Sequence, residues 1–173
     1  IRTSDIPGTF GVFTKTGATK ARMVFSRGKV FAGRGNSVIV LDPATDAVIK
    51  TVTYENRQVK DLAKGYDGKI YAIFTGEFTG NSGMTGAASF TKPAMIVALD
   101  ANGEVVSETN LPEQIELRTG TASPTVQMCA SFTQPHLYFI GKQDFSAYEA
   151  MRYNYETGRV NWDYITAALD AES

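Results

Sequence analysis

The chain holds one histidine, His136, and one cysteine, Cys129, and those two counts bound its chemistry. Structural or catalytic zinc needs several imidazoles or thiolates together, which a single His and a single Cys do not supply. A Ser–His–Asp relay needs His136 beside both partners, and nothing in the spacing brings them there. His136 falls where a tight turn enters a strand and reads as a structural side chain. Cys129 alternates with Val126, Met128 and Phe132, and reads as a small buried thiol. The carboxylates Glu77, Glu113, Glu116 and Asp144 lie in loops. Two of them at a suitable separation would make a glycosidase acid and base, although loop carboxylates are ordinarily just solvated. The glycine-rich stretch 75–93 lacks the GxxxxGK[ST] order that cradles phosphates. The expectation is a chain with no catalytic set, no metal and no cofactor.

What remains suits binding. Arg34, Asn36, Arg57, Phe78, Asn81, Phe90, Lys92, Arg118, Lys142, Asp144, Phe145 and Tyr148 combine rings, amides and charges. Rings that stack, with a few polar groups that fix orientation, are how proteins hold planar or sugar-like ligands. All twelve fall in or beside connections between strands, where binding residues concentrate on a rigid scaffold.

The strands that must position them repeat. GKVFAGRGNSVIVLDPATDAVIKTVTY, residues 28–54, reads as three short strands and two turns. The same grammar returns in DGKIYAIFTG with AMIVALDANGEVVSETNLP, and again in QPHLYFIGK with EAMRYNYETGRVNWDYI. Alternating β-branched and aromatic residues mark the strands, and the Asp, Asn, Pro and Gly of the turns suit tight hairpins. A further candidate strand precedes each triplet: ARMVFS, VKDLAKG and TVQMCASF. Four strands per unit, repeated, predicts blades of a β-propeller, at approximately residues 21–56, 58–112 and 125–165. Residues 1–20 read as a lead-in or a strand of a preceding blade, and 166–173 as a tail. A sandwich also shows regular turns; the propeller is favoured because the repeat aligns across both turns of each unit.

In a four-stranded meander, connections one-to-two and three-to-four emerge at one end, and two-to-three and blade-to-blade at the other. The first class here is uniformly tight: SRG, YDG, TQP, DPATD, DANG and YETG. The long stretches 75–93 and 112–124, with the loop 142–149, belong to the second class. All elaboration is therefore expected at one end, which is nominated as the ligand surface.

Lys and Arg number 17 against 18 Asp and Glu, a net charge of −1, which gives no general pull on nucleic acid. With 173 residues and three blades against the 4–8 of a closed ring, the expectation is part of a larger ring, completed by blades of the same parent chain or of another. The first residue, Ile1, fits an excised or processed piece.

ETGRVNW resembles the TG-x-x-x-W portion of quinoprotein-type propeller repeats, in which the Trp packs between blades and no quinone is implied. ARMVFSRGKVFAGRGNSVIVLDPATDAVIKTV resembles the repeats of YncE-like surface-layer propellers. VKDLAKGYDGKIYAIFTG and SPTVQMCASFTQPHLYFIGK resemble one uncharacterised domain family within that group. The resemblance implies a seven-bladed surface lipoprotein of gut-type Gram-negative bacteria, outer-membrane or periplasmic. It further implies a non-catalytic module that captures a nutrient, cobamide- or glycan-like, for a TonB-dependent outer-membrane transporter. A glycan-active enzyme and a protein-interaction scaffold are the alternatives.

Overall fold

The computed structural model describes residues 13–14, 17–18, 23–78, 90–113, 115–116, 127–143 and 148–161. Two residue pairs near the start, β1 (Phe13–Thr14) and β2 (Gly17–Ala18), form a small antiparallel ribbon. The first sheet is a meander of β3 (Met23–Ser26), β4 (Lys29–Arg34), β5 (Ser37–Asp42) and β6 (Ala47–Thr53). The second joins β7 (Val59–Lys64), β8 (Ile70–Phe74), β11 (Met95–Leu99) and β12 (Val105–Asn110). Between β8 and β11 stands a ribbon of β9 (Glu77–Phe78) and β10 (Phe90–Lys92). The third contains β14 (Met128–Ala130), β15 (His136–Gln143), β16 (Tyr148–Asn154) and β17 (Arg159–Asn161), with β13 (Ile115–Glu116) added beside β14 along the edge of β15. All pairings are antiparallel, and no helix occurs among the described residues.

The sheets stack face to face. β8 and β11 are buried along their whole length because the second sheet is covered on both sides. Ile70, Ala72, Phe74, Val97 and Leu99 meet Phe31, Val38 and Val40 of the first sheet. The alternate residues Tyr71, Ile73, Ile96 and Ala98 meet Leu137, Phe139, Met151 and Tyr153 of the third. A strand buried on both faces loses the alternation of a half-exposed one, which is why IYAIF and MIVAL read as unbroken apolar runs. The outer strand β12, by contrast, is mostly exposed. The first strand of the second sheet, β7, touches both β3 and β14, so the inner edges of the three sheets converge. Radially stacked four-stranded meanders with converging first strands are propeller blades, and the fold is an all-β arc of three.

The turns explain the register. Asp42 Oδ1 accepts the Ala44 N–H at 2.8 Å, Asp100 Oδ1 those of Asn102 and Glu104 at 2.7 and 2.9 Å, and Asn154 Oδ1 those of Glu156 and Thr157 at 3.0 Å each. Each hairpin is thus closed by its own first residue before any other sheet is met.

Candidate functional site

The described roots of the two classes of connection lie at opposite ends. At one end, Tyr54 N–H donates to Asn36 O (3.0 Å), Val59 N–H to Gly35 O (2.8 Å), Thr75 N–H to Gln58 O (2.9 Å) and Leu111 N–H to Ala94 O (2.7 Å). The β4–β5 turn, the β6–β7 connection and the roots of 75–93 and 112–124 are therefore neighbours, and β13 carries the last of these to Lys142 through its pairing with β15. The tight turns gather at the other end, where Lys29 Nζ reaches Ala101 O at 3.1 Å and Tyr66 OH donates to Glu156 at 2.8 Å.

The candidates at the elaborated end fall into three groups. Arg34 ends β4 half-buried, and Asn36 is exposed in the adjoining turn, its Oδ1 accepting the Ser37 hydroxyl at 3.0 Å. Phe78 and Phe90 are direct cross-strand partners, and so are Lys92 and Glu77 one step along. Lys142 pairs with Tyr148 across the β15–β16 hairpin and with Glu116 of β13. Asn81, Arg118, Asp144 and Phe145 lie outside the described residues, as does Trp162.

Arg57, expected among the ligand contacts, is buried, and the reason is geometric. Its Nη1 donates to Thr75 O and to Pro93 O, each at 2.7 Å. One guanidinium thereby bridges the two roots of the 75–93 segment. Burial pulls its pKa below the usual value, while Glu77 and Glu108 oppose that shift. Lys92 is exposed and forms an ion pair with Glu77 at 2.7 Å. The hydrogen bond from Lys92 holds the Glu77 carboxyl below its ordinary range. A carboxylate held ionised is a poor proton donor near neutral pH, so Glu77 does not suit the acid half of a glycosidase pair.

Reading the residues missed Lys60. The β7–β8 register shifts between Val59, opposite Phe74, and Asp61, opposite Ile73, which makes Lys60 the extra residue of a β-bulge. A bulge re-aims the side chain it carries. This one lies two positions after Gln58, on the strand whose inner edge faces the other two sheets. Lys60 is half-buried, and burial pushes its pKa down to about 8. Its ammonium meets no carboxylate or carbonyl among the described residues. Next to it, Asp61 is fully buried and points toward the third sheet, its carboxylate accepting the N–H groups of Leu62 (2.8 Å) and Met128 (2.5 Å). Tyr54 OH donates to Glu108 at 2.5 Å, joining the first sheet's exit to the second sheet's outer strand.

At the far end, His136 Nε2 lies 3.3 Å from Asn154 Nδ2, and burial and the charge of Arg152 lower its pKa. Cys129, expected as a buried thiol, is exposed. Its strand buries Met128, and alternation turns Cys129 to the sheet face away from the core. No group of three His, Cys, Asp or Glu converges as a metal site among the described residues. Among the described residues, the elaborated end offers the polar groups of Arg34, Asn36 and Lys92 on the rigid frame of the sheets.

A family model described as a domain of unknown function, DUF5074, matches residues 5–170. The chain belongs to the DUF5074 family. A comparison with curated proteins finds no match. In DUF5074 terms the match runs from before β1 to beyond β17, so all three sheets and both classes of connection belong to this one family domain.

Proposed function

We propose that this chain is a non-catalytic ligand-binding propeller module whose elaborated end captures a small molecule or glycan bearing an anionic group. One observation carries the reading: Lys60, half-buried on a β-bulge beside that end, presents an ammonium with no described partner. Burying a charge without a counter-charge is costly, and a site that tolerates it gains when an anion arrives. Arg34 and Asn36 flank Gly35, whose carbonyl takes the N–H of Val59, the residue before Lys60, and the Phe78–Phe90 ribbon stands at the same end of the sheets. The resemblance to YncE-like surface propellers supports a setting at the cell surface or in the periplasm, with hand-over of a cobamide- or glycan-like nutrient to a TonB-dependent transporter.

Calorimetric titration with a panel of cobamides and of neutral and acidic oligosaccharides tests this. The expected outcome is saturable binding that Lys60→Met weakens at least about tenfold, or about 1.4 kcal/mol, and that Phe78→Ala, Phe90→Ala or Tyr148→Ala also weakens. The same Lys60→Met change raises thermal stability at neutral pH. The folded pKa lies below the ordinary lysine value, so the wild type gains stability as pH rises from about 8 toward the unfolded value, and the variant lacks that gain. A panel with no binder, or binding indifferent to Lys60→Met, sinks the proposal.

A further inference from the structure

One short run of the second sheet, residues 57–60, both holds the stem of the 75–93 segment and places Lys60. The ladder between β8 and β11 ends at the pair Phe74 and Met95. Just beyond it the ordinary pattern of pairing changes. Thr75 N–H still donates to Gln58 O at 2.9 Å, but Gln58 N–H turns to the Thr75 hydroxyl, also at 2.9 Å, and leaves the Thr75 carbonyl to another donor. Pro93, on the returning chain, brings no N–H of its own. Both carbonyls take their donor from one side chain: Arg57 Nη1 reaches Thr75 O and Pro93 O at 2.7 Å each. Thr75 is fully buried, so a carbonyl left open there would be costly.

The next two residues complete the run. Val59 N–H donates to Gly35 O of the first sheet at 2.8 Å, and Lys60 is the extra residue of the bulge. The backbone that sets the stem is therefore continuous with the backbone that sets the ammonium.

Above the clamp the stem is braced again. Glu77 and Lys92 are cross-strand partners joined by an ion pair of 2.7 Å, and the Thr91 hydroxyl donates to Glu77 O at 3.3 Å. Phe78 and Phe90 are paired next along the ribbon. The corresponding connection of the first sheet needs no such support, because Arg34 pairs with Ser37 directly across Gly35 and Asn36. Arg57 itself is only 6% exposed, so its influence on a bound molecule runs through the stem it holds.

We propose that Arg57 is a positioning residue of the ligand site, fixing the Phe78–Phe90 ribbon relative to the bulge that carries Lys60. The inference rests on the ligand-binding reading given above. What the ribbon adds to affinity then depends on Arg57, although Arg57 touches no ligand: a wall held in place beforehand does not have to be ordered on binding.

Two measurements on the 173-residue chain test this. Hydrogen exchange needs no ligand. Arg57→Met should speed exchange in residues 77–78 and 90–92 at least about tenfold, while 70–73 and 96–99 stay slow. Calorimetric titration takes a galacturonate trisaccharide and cyanocobalamin as probes, each bearing an anionic group. Arg57→Met should weaken binding at least about threefold, and should add nothing further in a chain that already carries Phe78→Ala and Phe90→Ala. Combined with Lys60→Met, its loss should add in full, because the ammonium acts on the anion directly. Should circular dichroism show Arg57→Met unfolded, Arg57→Gln, which keeps a donor for one of the two carbonyls, replaces it in both measurements. Unchanged exchange in the stem overturns the proposal, and so does a binding loss that persists at full size without the two rings. A wild type that binds, beside an Arg57→Met chain that binds equally well, removes this inference and leaves the ligand-binding reading standing. A wild type that binds neither probe removes both.

Discussion

The two seams between sheets share a register and differ in chemistry. The first closes around aliphatic and phenyl groups, Phe31, Val38 and Val40 against Ile70, Phe74 and Leu99, with charged clasps at its rim. The second is polar at its inner edge, where the Asp61 carboxylate takes the Met128 N–H, and aromatic at its tight-turn end, where Tyr66, Tyr71 and Tyr155 gather. The backbone plan is therefore indifferent to how a seam is filled. Both depend on the volume of their buried apolar side chains, but the second depends also on hydrogen bonds and protonation state, and should respond to insults the first does not feel.

The largest effect should come from volume in the first seam. Phe31→Ala, at a fully buried ring, is expected to cost about 3–5 kcal/mol in denaturant unfolding, with the midpoint falling accordingly. In the second seam, Asp61→Ala leaves the N–H groups of Leu62 and Met128 without their acceptor. The expected loss is about 2–4 kcal/mol, smaller for Asp61→Asn, which keeps one acceptor. If Asp61→Ala proves neutral, the polar account of that seam is wrong.

Alkali should reach the second seam next. Burial pushes Tyr155 up to about 12 and raises Tyr71 further, with Asp67 reinforcing the shift at Tyr71. The unfolded chain ionises first, so the stability these neutral rings supply is present below about pH 10 and is lost as pH climbs through the folded values. Melting temperatures at pH 9 and pH 11 should show a drop that Tyr155→Phe reduces; an unchanged drop would assign it elsewhere, Tyr54 being a further half-buried phenol whose pKa is raised. The smallest effect belongs to the first seam's rim. Lys50→Ala breaks the pair with Glu104, and surface pairs of this kind are worth at most about 1 kcal/mol, less in high salt.

Much of this was legible in the sequence. The turn residues Asp42, Asp100 and Asn154 mark the hairpins because their side chains do the closing, and the short and long connections sort to opposite ends as meander geometry requires. The candidate site was legible only as a region. A bulge adds one residue to one strand and leaves no compositional mark, so Lys60 passed as an ordinary strand residue of VKDLAKG. Arg57 looked like a surface cation because the carbonyls that bury it, Thr75 and Pro93, meet only in the folded chain. Cys129 sat in a run apolar on both parities, where alternation alone does not choose a face.

The bridge made by Arg57 has a consequence for how such a domain can change. A single side chain clamps the entry and exit of the 75–93 segment, so the spacing of its two ends is fixed from the sheet side. The insert can then be exchanged alone, as a tool head is exchanged on a fixed handle, and chimeras spliced between Thr75 and Pro93 should melt together with their parent.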